Sequence, residues 1–224
     1  MIVFPSRGIE GGMNRLLLAL SCVALVVSTG CYNLIDGGPE ASETRSVDSF
    51  DSLRVDDGLR VKFIKGSPQV TIDAPQKVFQ YLDTTVKSGR LVVSLRNGVA
   101  VTSQDTISIT VSGDGVSTFE ATGASHITAD ELSASPLRIT ASGASLVTLS
   151  GSSADFRVSA SGGSTISAAK VVAEDVSVEL SGGSTAEVQA TKSITGSASG
   201  GSKVTVTGGA DGSRVSVSGG STVN

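Results

Sequence analysis

The sequence predicts an all-β chain wound as a right-handed parallel β-solenoid, with coils of about 19 residues and a less regular N-terminal cap. Three observations predict it. A four-residue motif, Ser/Thr-Gly-Gly/Ala-Ser, recurs at Thr122–Ser125, Ser142–Ser145, Ser161–Ser164, Ser181–Ser184, Ser199–Ser202 and Ser218–Ser221, so successive starts lie 20, 19, 20, 18 and 19 residues apart. Apolar and polar residues alternate on both sides of the motif, as in Val176-Ser177-Val178-Glu179-Leu180; period two is the signature of a strand with one buried face. Aromatic residues make up only 4% of the chain, with no Trp and 27 Gly. That composition suits many thin, similar layers better than one thick core.

From the N-terminus, Leu16 to Val27 is an apolar run preceded by Met13-Asn14-Arg15. A short apolar stretch behind a positive charge predicts a secretory signal over residues 1–30, too short for a comfortable membrane span. Met13 is a better start than Met1. Ser28-Thr29-Gly30 then leads into Cys31. Small residues just before a cysteine resemble a lipobox, although Ser28 stands where Leu is usual. Cleavage there removes Cys22 and leaves Cys31 as the one mature cysteine, suited to lipidation and unable to form an intrachain disulfide. Tyr32 rather than Asp after Cys31 points to the outer membrane where Gram-negative sorting applies. Residues 31–46, with Gly37-Gly38-Pro39, read as the lipidated cysteine and a polar tether.

Residues 47–115 form the irregular part. Leu53-Arg54-Val55, Val61-Lys62-Phe63, Val70-Thr71-Ile72, Leu91 to Leu95 and Ile107 to Val111 read as strands, and Gln76 to Asp83, after Pro75, as one short helix. Phe79 and Tyr81, with Phe50 and Phe63, are expected to plug this end, since an open solenoid end exposes backbone and apolar surface. Residues 116–224 form the regular repeat. Three places before each motif stand Phe119, Ile139, Val158, Val178, Gly196 and Val215; five places after its start stand Ile127, Val147, Ile166, Ala186, Val204 and Val223. These are the expected inward ladders, with Gly196 and Ala186 as thin rungs. The paired Gly or Gly-Ala positions fall where a corner must turn and supply positive φ.

The entry Phe50-Asp51-Ser52-Leu53-Arg54-Val55 with Val61-Lys62-Phe63, the segment Gly89-Arg90-Leu91-Val92-Val93 and the repeated Ser-Gly-Ala/Gly-Ser together resemble the head GIN domain family of putative auto-transporter adhesins. The resemblance covers about Val47 to Asn224. It implies a right-handed parallel β-solenoid and a surface location, and it brings no catalytic residues with it.

The chemistry-bearing residues are few. The net charge of −4 without a basic run argues against nucleic acid. One histidine, His126, and one mature cysteine leave no zinc set and no Cys-His nucleophile, and no Gly-x-Ser-x-Gly elbow occurs. The motif lacks the Asp of calcium-binding β-rolls, and no cofactor is expected. Arg138 and Arg157 fall in one outward column of adjacent coils, with Arg214 further on, and Glu120 and Glu179 in the column two places beyond. These arginines are the candidate ligand-facing residues, suited to an acidic glycan; the plainer alternative is that they keep the sheet soluble. Glycoside hydrolysis needs two acids at a fixed separation; Asp105 and Asp114 lie near the same region, but nothing in the sequence puts them together. The sequence therefore predicts a non-enzymatic cell-envelope lipoprotein that presents a rigid Ser/Thr-rich surface to a glycan or envelope protein. A carbohydrate-active enzyme is the first alternative. The second is an assembly element joining edge to edge through the C-terminal coil around Val215 to Val223.

Overall fold

The computed structural model describes residues 33–35, 38–96, 99–101, 107–211 and 214–224. The apolar N-terminal segment, Cys31 and Asp105 lie outside the described residues.

The N-terminal region is where parallel winding begins and antiparallel strands close it. Strand β1 (Asn33–Ile35) pairs in parallel with β8 (Val99–Val101). Strand β2 (Glu40–Ser46) then runs antiparallel to β5 (Gln69–Pro75), which runs antiparallel to β9 (Ser108–Gly113). The first coil is β3 (Ser52–Val55) and β4 (Arg60–Lys65). It is sandwiched: β3 lies between β7 (Arg90–Leu95) and β10 (Thr118–Ala121), and β4 lies between β9 and the strand that follows β10. After the first coil the chain steps back to build β5, a 3-10 helix η1 (Gln76–Tyr81), β6 (Leu82–Lys87), β7 and β9 on its outer side. It then crosses over the first coil to continue at β10. At the crossing the Phe50 ring packs on Gly113, where an added Cβ would lie 2.8 Å from the ring.

Two expectations for this region change. Glu40–Ser46, read as part of a polar tether, is an ordered edge strand whose residues alternate between exposed and half-buried. Its polarity is what an edge strand needs to resist pairing with another chain. The Gln76–Asp83 segment is a six-residue 3-10 helix that buries Val78, while Phe79 and Tyr81 stay half-exposed. So short a connector between two strands suits the tighter helix. The aromatic plug is Phe63 edge-on to Phe119, ring centroids 5.2 Å apart, together with Phe50.

Beyond it the repeat is regular. Strands β11 (His126–Ser133), β12 (Leu137–Ala141), β13 (Leu146–Ala160), β14 (Thr165–Leu180), β15 (Thr185–Ala198), β16 (Lys203–Thr207), β17 (Val215–Val217) and β18 (Thr222–Val223) all pair in parallel, each on the coil before. Both expected ladders are present. Phe119, Ile139, Val158, Val178, Gly196 and Val215 are successive register partners, as are Ile127, Val147, Ile166, Ala186, Val204 and Val223. Most of these side chains are almost wholly buried, each large aliphatic one contributing about 1.5–3 kcal/mol.

The motif is the corner between the two strips of sheet. Its two central residues both have positive φ, for example 66° and 81° at Gly162 and Gly163, the backbone of a tight turn. The two positions are not equivalent. A Cβ on Gly162 would lie 3.1 Å from the backbone nitrogen of Gly143 in the coil below, whereas one on Gly163 would meet nothing within 4 Å. Hence Ala124 and Ala144 occupy the second position and never the first. The motif's last serine points inward: Ser125, Ser145, Ser164, Ser184 and Ser202 are buried, and each hydroxyl donates to the carbonyl of the motif's first residue at 2.5–2.8 Å. The motif's last serine in these coils is therefore corner structure and not surface. Differences in coil length are absorbed away from the motif, at register shifts such as Ala168 to Val172. Gly196, in the 18-residue coil, is the tightest point: a Cβ there would fall 1.9 Å from the Val178 carbonyl oxygen.

Candidate functional site

The strip before the corner is built from β7, β3, β10, β12, the second half of β13, the second half of β14, the second half of β15, and β17. Alternation buries every second residue, so its outer surface is a grid of columns. One column runs Arg90, Ser52 (itself buried), Thr118, Arg138, Arg157, Ser177, Thr195, and the next runs Arg54, Glu120, Thr140, Ser159, Glu179, Ser197. The sequence spacing thus placed Arg138 and Arg157 correctly as neighbours, and Glu120 and Glu179 in one column. Arg214 immediately precedes β17, whose register begins at Val215 opposite Gly196, so it belongs to the third coil beyond that of Arg157, with Ser177 and Thr195 in the coils between. It does not share a site with the other two.

The two ends of this surface treat charge differently. Near the cap, Glu120 receives Arg90 at 3.1 Å and Arg54 at 3.8 Å, while Arg54 also binds Asp56 at 3.0 Å. The Asp56 hydrogen bond raises the Arg54 pKa further above its usual value. Thr122 donates to the same Asp56 carboxylate. In the middle coils a concavity of about 500 Å³ opens over Arg138, Asp155, Arg157, Asp175, Glu179 and the hydroxyls around them. Arg157 is held by a two-point contact with Asp155, Nη2 to Oδ2 at 2.9 Å and Nε to Oδ1 at 3.3 Å, and that contact raises its pKa. Asp175 accepts the Ser193 hydroxyl at 2.6 Å. Arg138 and Glu179 are exposed and unpartnered among the described residues. The surface therefore offers a free guanidinium, a free carboxylate and a field of hydroxyls between them.

Other candidates fall elsewhere. Asp114 sits at an exposed turn, 3.8 Å from Lys65, well apart in sequence and strip from the concavity. His126 lies on the strip after the corner, in the column of Leu146, Thr165, Thr185, Lys203 and Thr222. It is half-buried, and burial, with Arg60 nearby, lowers its pKa. Beside β17 and β18, residues including Val206, Val215, Val217 and Val223 line a second concavity of about 650 Å³, and Val217 is 47% exposed.

One organising residue escaped the sequence reading. Arg45, in β2, donates to the carbonyls of Leu82 at 2.7 Å and Phe79 at 2.8 Å, to Thr84 Oγ1 at 3.1 Å and to Glu43 Oε1 at 2.6 Å. It ties the edge of one strip to the edge of the other. No pattern marks it, because its partners lie 34 to 39 residues away in the irregular cap and not at the period of the repeat.

A family model described as putative auto-transporter adhesin, head GIN domain, matches residues 49–210. Solved structures share the fold, among them the following three. A putative adhesin from Bacteroides fragilis is 16% identical with a TM-score of 0.64, over 83% of this chain and 95% of that one. A putative adhesin from Parabacteroides distasonis is 15% identical with a TM-score of 0.54, over 85% and 99%. A protein from the same organism described as a putative lipid binding protein is 15% identical with a TM-score of 0.50, over 85% and 98%. No curated protein matches the sequence.

Proposed function

Because the chain belongs to the head GIN domain family of putative auto-transporter adhesins, we propose that it is a non-enzymatic binding module of the cell envelope, anchored by lipid on Cys31 and engaging its partner through the outer surface of the strip before the corner. The observation that carries this reading is the contrast along that surface. Cap-end charges are spent on one another, while Arg138 and Glu179 flank a concavity with their polar groups unengaged. Stacked rungs about 4.8 Å apart make such a surface rigid, so little ordering entropy is lost on binding. Membrane attachment fits the small residues before Cys31, and Tyr32 favours the outer membrane where Gram-negative sorting applies.

A non-catalytic role is favoured by how the concavity's carboxylates are used. Asp155 is committed to Arg157 and Asp175 to Ser193, whereas hydrolytic carboxylates work as a pair at a fixed separation across the bond to be cut, one held as an acid and the other as a base or nucleophile. The test uses the full-length chain expressed in a Gram-negative host. Palmitate labelling is expected in the native chain and absent in Cys31→Ser. The purified lipoprotein is expected to retain envelope material, and retention is expected to fall in the double variant Arg138→Met with Glu179→Gln. Labelling that persists without Cys31, or retention indifferent to the double variant, contradicts the reading.

A further inference from the structure

The charge balance of the concavity, taken with the binding reading above, specifies its ligand. Among the described residues its lining carries two cations, Arg138 and Arg157, against three carboxylates, Asp155, Asp175 and Glu179. A polyanion would meet a net negative surface in which one arginine is already neutralised at 2.9 Å. That argues against the acidic glycan suggested by the arginine column alone. A simple cation is poorly matched as well, since Asp155 and Asp175 already have donors and Arg138 stands in the same concavity.

We infer that this surface takes an uncharged polyhydroxy chain, a neutral glycan, laid along the solenoid axis from Arg138 to Glu179. Sugar hydroxyls both donate and accept, so they need guanidinium donors and carboxylate acceptors on the same surface. Arg138 supplies free N–H donors and Glu179 free acceptor oxygens, two rungs apart. That separation is about 10 Å at 4.8 Å per rung, long enough for more than one sugar ring. Between them Ser159, Ser177 and Thr140 add hydroxyls that serve as donor or acceptor. Among the described residues no aromatic ring lines the concavity, so recognition rests on hydrogen bonds. Single-chain affinity is then weak, and strong attachment comes from many copies on one surface.

The test presents the purified lipoprotein in detergent with neutral hexasaccharides (cellohexaose, maltohexaose, mannohexaose) and with hexagalacturonate, at millimolar concentration, followed by calorimetry and by NMR. At least one neutral hexasaccharide is expected to bind and hexagalacturonate to bind more weakly. Arg138→Met and Glu179→Gln are each expected to weaken the neutral ligand at least fivefold, with Glu187→Gln on the other strip unchanged. Both substituted residues are exposed, so an unaltered thermal transition confirms that the fold is intact. Binding of hexagalacturonate alone, dependent on Arg138, overturns the neutral ligand class and leaves the binding surface standing. Silence toward all neutral chains, with envelope retention still dependent on Arg138 and Glu179, does the same in favour of another partner. Silence together with retention indifferent to both residues overturns ligand class and surface alike.

Discussion

The repeat and the cap solve one problem, how to end a buried strand in a turn, by different means. In the first five motifs of the repeat, each corner is a pair of small residues with positive φ closed by a buried serine, and the same four positions do the same work from coil to coil. In the first coil Asp57 and Gly58 make the equivalent turn, with φ of 62° and 73°. Asp57 accepts the Leu95 N–H at 3.0 Å, and Gly58 N–H donates to Ser125 Oγ. The outer edges of the cap are then tied by one long side chain, Arg45. The lesson is that stacking lets small residues replace large ones: each corner rests on an identical neighbour. Where no identical neighbour lies beneath, a unique side chain has to reach.

Substitutions that break the contrast should differ in size. Gly196→Ala is expected to be worst, because its Cβ would overlap the Val178 carbonyl in a backbone region open essentially to glycine. A loss of more than about 3 kcal/mol, or failure to fold, is expected from urea unfolding; a loss under about 1 kcal/mol would show that the coil relaxes instead. Arg45→Met should cost about 2–3 kcal/mol by stranding the Leu82 and Phe79 carbonyls. Hydrogen exchange should speed up in β2 and β6 before β13 or β14, and uniform acceleration would contradict a local staple. Ser184→Ala, which removes one of several like bonds, should cost about 1 kcal/mol by the same unfolding measurement.

Residues that act in every coil were legible in the sequence. Period two fixed which of Val158, Val178 and Ile166 point inward, and the motif spacing fixed that they stack. The same spacing put Arg138 beside Arg157. It was silent on Asp155, whose capture of Arg157 turns an arginine column into a mixed-charge surface. The inward turn of the last motif serine was hidden as well, since Ser reads as polar surface until its hydroxyl finds a carbonyl three residues back. In the cap nothing repeats. Glu40–Ser46 lacks the apolar alternation that betrays a strand, because its role is to be an edge, and Arg45 acts across a fold that local pattern does not contain.

The smallest effect concerns His126. Its pKa is lowered in the folded chain from 6.5, chiefly by burial. The unfolded chain therefore binds the proton more readily, so this residue's contribution is constant above the unfolded value and stability falls as pH drops through and below it. His126→Gln should flatten the thermal transition against pH in that window; a steeper dependence in the variant would reverse the sign.

The asymmetry of the corner glycines is the most direct check on the stacking account. Urea unfolding of Gly182→Ala and Gly183→Ala compares the same substitution at adjacent residues with φ of 66° and 78°. Only the first would press a Cβ to 3.1 Å from the backbone of the coil below. Both should lose about 1 kcal/mol to the positive φ, and Gly182→Ala should lose about 1–2 kcal/mol more to overlap. Equal losses, or a larger loss at Gly183, would mean that successive corners do not rest on one another.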